Sequence, residues 1–400
     1  MKRLLCLSNG HGEDAIASSI LQALRQRCPH LDLMALPLVG LGSAYTRLGI
    51  PVLQPGKILP SGGFIYMDLR QLWRDLRAGL LGLLGAQVRA IQRWQRFSAG
   101  HLLAVGDIVP LLLAYGTGGT YSFIGTAKSD YYLYDATGRP YRWGMGWAGS
   151  DYLPWERWLW RSPRCRGIFV RDELTAKGLR QFGYTVHYCG NPMMDLVMPP
   201  PERSPFTTRT IVLLPGSRAP EAYRNWQQIL RVLAPYPDQP LTCLAAVSPS
   251  LDLRMLEQSL EGWQPIASAL PQTSAWQLGQ QQLILSSHHF REFLHWAEGG
   301  IALAGTATEQ CVGLGKPVIT FAGAGPQFTR EFASRQKRLL GDSIFLLDDP
   351  QEAIPTLWQI WEDATLLARI AANGKERMGD PGASDRIAEQ LLKILGIESC

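Results

Sequence analysis

Nowhere does the 400-residue chain hold an uncharged apolar run of about 18 residues, the length a bilayer-spanning helix needs, since Arg77 and Arg89 flank the apolar stretch 80–84. The opening Met1-Lys2-Arg3 and apolar 4–7 start like a signal peptide, but the run stops at Ser8-Asn9-Gly10 and reads as a first buried strand. The seven cysteines are odd in number and form no Cys-x-x-Cys pair, so a reducing compartment fits better than a disulfide framework. There is no Asp-x-Asp pair, and none of the seven histidines sits at a zinc-type spacing. Charged residues are only 18% of the chain and apolar ones 46%, which excludes a disordered or fibrous protein. The charge is uneven: residues 1–200 carry 22 Lys and Arg against 13 Asp and Glu, and residues 201–400 carry 17 against 21, so the halves face different partners.

The length suits two domains, each able to bury its own core. Short apolar runs alternate with amphipathic stretches, the pattern of a parallel sheet flanked by helices. In the first half strands are expected over 3–7, 31–37, 102–105, 121–124, 167–170 and 185–188, with helices over 14–27, 69–97, 154–160 and 173–182. Four prolines between Val197 and Pro205 stop any helix or central strand. Beyond them strands are expected over 210–214, 241–247, 282–285, 301–303, 317–321 and 344–346, with helices over 221–233, 251–260, 290–298 and 306–314. The chain thus divides into a Rossmann-like domain 1–196, a linker 197–208, a second Rossmann-like domain 209–375 and a C-terminal helix 376–400. The fold class is α/β, two doubly wound domains facing across a ligand cleft.

Two stretches of the second half carry chemistry. In Leu214-Pro215-Gly216-Ser217-Arg218 a buried strand runs into a tight turn; Gly216 lets the backbone approach a phosphate, and Ser217 and Arg218 can donate to its oxygens. The competing reading is an ordinary turn with a surface arginine. In Gly305-Thr306-Ala307-Thr308-Glu309 an apolar strand gives way to a helix start, where unpaired N–H groups favour an anion and Glu309 can accept from ribose hydroxyls. The alternative is a capping box, with Thr306 as N-cap and Glu309 three residues on.

With Gly190-Asn191-Pro192-Met193-Met194-Asp195 added, these motifs in order resemble those of lipid-A-disaccharide synthase and its relatives, inverting glycosyltransferases of the GT-B fold. The likeness is strongest in the C-terminal half. It implies a UDP-sugar donor held by Gly216, Ser217, Arg218, Gly305, Thr306, Ala307 and Glu309, with Glu309 on the ribose. It also implies catalysis without a metal or other cofactor, because a helix dipole and basic groups stabilise the leaving nucleotide. Gln327, in the loop 321–328, falls where such enzymes contact the donor sugar.

Inversion needs a base for the acceptor hydroxyl. The run Ser8-Asn9-Gly10-His11-Gly12-Glu13-Asp14 offers His11 by its intrinsic pKa, Glu13 by its charge and Asp14, which lines up with the acid of the synthase Gly-Glu-x-Ser-Gly-Asp run. Asp107, at the end of an apolar strand, falls where the resemblance puts an important aspartate; a helix cap ahead of Pro110 is its plainer role, as capping is for Glu13 and Asp14.

A lipid acceptor at the inner face of a membrane is read from two stretches. Residues 69–97 set cationic and aromatic side chains, Trp73 and Trp94 among them, around an apolar centre, as an interfacial helix does. Residues 139–166 hold five tryptophans, including Trp143, Trp147, Trp155 and Trp158, and six arginines, a headgroup-seeking mixture. Core packing with a solvated face is the plainer reading of both, and no nucleic-acid motif accompanies them. The expectation is a UDP-sugar-dependent glycosyltransferase acting on a lipid, peripheral to the membrane in the cytoplasm. A UDP-sugar 2-epimerase of the same fold and a non-catalytic nucleotide-sugar or lipid binder are the competing readings.

Overall fold

The computed structural model describes residues 2–54, 80–97, 100–134, 139, 149–323 and 325–397. The chain forms two compact units: Met1–Tyr134 with Arg139–Leu196 and Asp380–Cys400, and Asp135–Gly138 with Val197–Gly379. The last helix of the sequence, Ala383–Leu395, belongs with the first unit.

The first unit is built on a five-stranded parallel sheet of order β2-β1-β3-β4-β5. Its strands are β1 (Arg3–Ser8), β2 (Asp32–Pro37), β3 (His101–Gly106), β4 (Thr120–Gly125) and β5 (Cys165–Phe169). β1 and β3 are buried on both faces, as strands covered by helices must be, so they read as unbroken apolar runs. The expected strand at 185–188 is reduced to a single parallel bridge between Phe169 and His187.

The helix His11–Arg27 packs against Ala383–Leu395. Arg27 makes a two-pronged contact with Asp385 at 2.6 and 2.5 Å, and Ser19 meets Ser384 at 2.7 Å. The carboxylate of Asp195 caps the returning helix by accepting from the backbone N–H of Gly382, Ala383 and Ser384 at 2.5, 3.2 and 2.6 Å. The Gly190–Asp195 motif therefore has a structural task in this chain.

The second unit has an eight-stranded sheet of order β13-β12-β11-β6-β7-β10-β9-β8. Its parallel strands are β6 (Arg209–Leu214), β7 (Leu241–Ala246), β10 (Gln281–Ser286), β11 (Gly299–Ala302), β12 (Val318–Phe321) and β13 (Ile344–Leu347). Two further strands, β8 (Gln264–Ile266) and β9 (Ser274–Leu278), run antiparallel at one edge, so the purely parallel sheet expected from the sequence is corrected there. Gly279, with φ 58°, opens the two-residue turn from β9 to β10 in the glycine-first pattern of a tight hairpin. The polar run Gln277–Gln282 hides that hairpin from a search for apolar strands. The helix expected over 251–260 spans only Leu253–Glu257, and the helix Arg330–Leu340 was not foreseen.

Candidate functional site

Each sheet has a topological switch point, where successive strands begin to be laid down on the other side of the first; ligands of open α/β sheets bind outside the carboxyl ends of the strands there. In the first unit it lies between β1 and β3, and in the second between β6 and β11. The candidate acids and the candidate phosphate-binding turns sit at these two places.

At the first, Gly10, just ahead of the helix His11–Arg27, and Gly106, the last residue of β3, both have φ 128°, a backbone state that needs glycine. Space confirms the need at Gly106: a Cβ there would stand 3.2 Å from Glu13 Cγ and 3.8 Å from Asn9 Cβ. The two loops and the start of the helix His11–Arg27 thus converge. Asp107 is the N-cap of the helix Ile108–Gly116, its Oδ1 accepting from Val109 N–H at 2.8 Å, while its Oδ2 accepts from Asn9 Nδ2 at 3.0 Å. The capping role is real, and the cap also points a carboxylate at the switch point.

Three carboxyls are crowded here. Burial pushes Glu13 up to about 7, opposed by its own backbone N–H and aided by the charges of Asp107 and Asp14. Burial likewise raises Asp107 to about 6, against the hydrogen bonds from Val109 and Asn9, and Lys128 and Glu156 also act on it with opposite signs. Lys128 and Glu156 form an ion pair, and Lys128 also donates to Asp151 O at 3.2 Å. Asp14 is raised to about 6 by burial, but its side chain is spoken for: Ser8 Oγ donates to Asp14 Oδ1 at 2.5 Å and also bonds Tyr45. His11 is exposed and lies against Gly40, where an added Cβ would stand 3.2 Å from its ring. Glu13 and Asp107 thus both lie at the first switch point, whereas the carboxyl of Asp14 is held by Ser8 and His11 lies exposed against Gly40.

At the second switch point, the carbonyl of Leu214 accepts from Leu303 N–H at 2.8 Å, joining the ends of β6 and β11. Gly216, with φ 101°, passes so near the other loop that a Cβ would lie 3.1 Å from Leu303 O. Ser217 is exposed, and its carbonyl accepts from Ser250 Oγ at 2.8 Å. Arg218 is partly buried, which lowers its pKa, while Glu221 acts the other way. The helix Thr306–Gly313 begins directly after Gly305.

Thr306 is not the N-cap: that position is Gly305, and no side chain caps the helix, so the alternative reading of a capping box with Glu309 is not met. The amide that a Thr306 cap would accept from, Glu309 N–H, goes instead to Gly305 O at 3.3 Å, because the helix begins one residue earlier. The first-turn amides of Thr306 and Ala307 are left to the switch point, with the positive end of the helix dipole. Glu309 is partly buried in the same first turn.

Several supports were invisible to motif reading. Buried Glu221 accepts from the backbone N–H of Phe328 at 2.6 Å and of Gln327 at 3.2 and 3.3 Å, lashing the loop 321–328 to the helix that follows Arg218. Gln327 is thus engaged through its backbone. Asn225, also buried, donates to Pro215 O at 3.0 Å, and Gln336 Nε2 donates to Ala304 O and Gly305 O at 3.1 and 3.2 Å. The available signal was weak: a polar residue once per turn on an otherwise apolar helix face.

The residues read as membrane contacts divide. Trp73, Trp143 and Trp147 lie outside the described residues. Trp94 is only 4% exposed, with Arg3 over its ring at 4.9 Å, so the expectation that it meets lipid is corrected: it belongs to the core of the first unit. Trp155 and Trp158 are 51% and 59% exposed. No described helix is long and apolar enough to cross a membrane.

No protein-family model matches the chain, and no curated protein matches it in sequence. Solved structures do. A UDP-GlcNAc 2-epimerase from Neisseria meningitidis bound to UDP-GlcNAc is similar over 98% of this chain and 100% of its own, with 14% identity and a TM-score of 0.57. MurG from Acinetobacter baumannii gives 14% identity and 0.56, again over 98% and 100%. A calicheamicin glycosyltransferase gives 15% identity and 0.59, over 99% of this chain and 98% of that one. The likeness runs the length of the chain, and the fold is α/β of the GT-B type.

Proposed function

We propose that the chain is a UDP-sugar-dependent enzyme, an inverting glycosyltransferase that needs no metal and transfers its sugar to a membrane lipid. The observation that carries the reading is the Glu13–Asp107 carboxyl pair at the switch point of the first sheet, raised by burial into the range where a carboxyl can exchange protons near neutral pH. Asp107 is the base: its cap and the Asn9 hydrogen bond fix its direction. It takes the proton of the acceptor hydroxyl as that oxygen attacks the anomeric carbon from the face opposite the diphosphate. The bond from the anomeric carbon to the phosphate oxygen breaks, and the electron pair leaves with UDP.

The leaving charge falls to the second unit. Arg218 and the first-turn amides of Thr306 and Ala307 stabilise the diphosphate, Gly216 admits it close to the backbone, and Glu309 accepts from the ribose hydroxyls. Gln327 reaches the sugar. The domains assigned to these roles are 1–196 and 209–375, joined by the linker 197–208. Exposed Trp155 and Trp158 support the lipid class of acceptor and a place at the inner face of a membrane.

A second reading draws on the same pair. Two carboxyls with raised pKa values at one switch point also suit an epimerase, which removes a proton from a sugar carbon and returns one, and the structural relatives include a 2-epimerase. Incubation with UDP-GlcNAc in D2O, with and without a membrane lipid extract, separates the two. Lipid-dependent UDP release with no deuterium at C2 of the recovered sugar supports transfer. Deuterium at C2 without lipid supports epimerisation, and neither change in this or other UDP-sugars would contradict both.

A further inference from the structure

The helix Pro154–Trp160 carries a feature that sugar transfer does not use. Between Pro154 and Arg166 the chain has four arginines and one acid, and that acid, Glu156, is buried in its ion pair with Lys128. Three of the arginines lie over aromatic rings: Arg157 over Phe182 at 4.8 Å, Arg161 over Tyr184 at 5.5 Å and Arg164 over Tyr115 at 4.8 Å. A groove of about 330 Å³ opens among Pro154, Arg157, Trp158, Arg161, Phe182 and Tyr184. Trp155 stands exposed beside it, Trp158 and Phe182 are exposed within it, and Leu112 is exposed on the neighbouring helix Ile108–Gly116.

We propose that this groove docks the first unit onto an anionic phospholipid leaflet. The inference deepens the lipid-acceptor part of the reading above by naming where the surface is held. The exposed guanidiniums of Arg161 and Arg166 attract headgroup phosphates while the exposed indoles of Trp155 and Trp158 enter the interface, the mixture found at the headgroup level. Single-stranded nucleic acid fits less well, because bases need open ring faces and those of Phe182, Tyr184 and Tyr115 are covered by arginine. Neither Glu13 nor Asp107 is among the residues that line the groove.

The test is co-sedimentation of the full chain with phosphatidylcholine vesicles, with and without phosphatidylglycerol, for the parent, Trp155→Ala/Trp158→Ala and Arg161→Glu. Binding is expected only to the anionic vesicles, falling about tenfold in Arg161→Glu and with added salt, and at least as much in the double tryptophan variant. Thermal melts confirm that the variants fold, and stabilisation by UDP scores the donor reading separately. Failure of the parent to bind anionic vesicles would overturn the proposal. So would binding unaltered in both folded variants, displacement from the vesicles by inorganic phosphate at modest concentration, or tighter binding to single-stranded RNA that the same variants abolish.

Discussion

The two sheets build their switch points in the same way and equip them oppositely. Between β1 and β3 the converging loops deliver carboxyls, Glu13 and Asp107, whose charge is resisted by burial. Between β6 and β11 they deliver donors: Arg218 and the uncapped start of the helix Thr306–Gly313. Glu221, which opens the helix after Arg218, is turned into the amides of Gln327 and Phe328. Topology fixes where a ligand can sit, and a few residues at the strand ends decide whether the place exchanges protons or holds an anion.

The sharpest way to break this contrast is to neutralise one side at a time. Asp107→Asn keeps a residue that can cap the helix Ile108–Gly116 and removes the proposed base, so turnover should fall about 10²–10⁴-fold with the melting temperature nearly unchanged. A loss below tenfold in steady-state rate would move the proton transfer to Glu13. Arg218→Ala should weaken UDP binding by about 10- to 100-fold, read by calorimetry, because it removes the charge-assisted hydrogen bonds proposed to the diphosphate. Unchanged affinity would take the nucleotide away from the β6 turn.

Smaller effects sharpen the supports. Glu221→Ala strips the acceptor from two backbone N–H groups and should cost about 1–3 kcal/mol of stability, seen in denaturant unfolding, together with weaker donor binding. Glu13→Gln tests the crowding of carboxyls directly. The folded pKa of Glu13, about 7, lies above its ordinary 4.5, so as pH rises the unfolded chain ionises first and the fold loses stability across that window. The variant should match the parent near pH 4 and exceed it by about 1–3 kcal/mol near pH 8. A constant difference across pH would mean that Glu13 does not carry the strain.

The sequence made much of this legible because buried parallel strands announce themselves. β1, β3, β6 and β7 are apolar runs closed by glycine, proline or small residues, and the turns that follow them are where the candidate residues were sought. What could not be read was pairing at a distance. Nothing near Asn9 tells that it donates to Asp107, almost a hundred residues on, and nothing near Asp195 tells that it caps a helix starting at Ala383. Trp94 misled because an arginine-rich, aromatic helix looks the same from its composition whether its tryptophan faces lipid or lies under Arg3. The alternative of a capping box at Thr306 and Glu309 fits the spacing but not the start of the helix, which lies at Gly305 and takes the Glu309 amide onto its own carbonyl.

The division of labour is tested most directly by titrating UDP into the parent, Asp107→Asn and Arg218→Ala by calorimetry at neutral pH. The account predicts full affinity in Asp107→Asn and a loss of about tenfold or more in Arg218→Ala. Equal loss in both variants, or intact binding in Arg218→Ala, would contradict it.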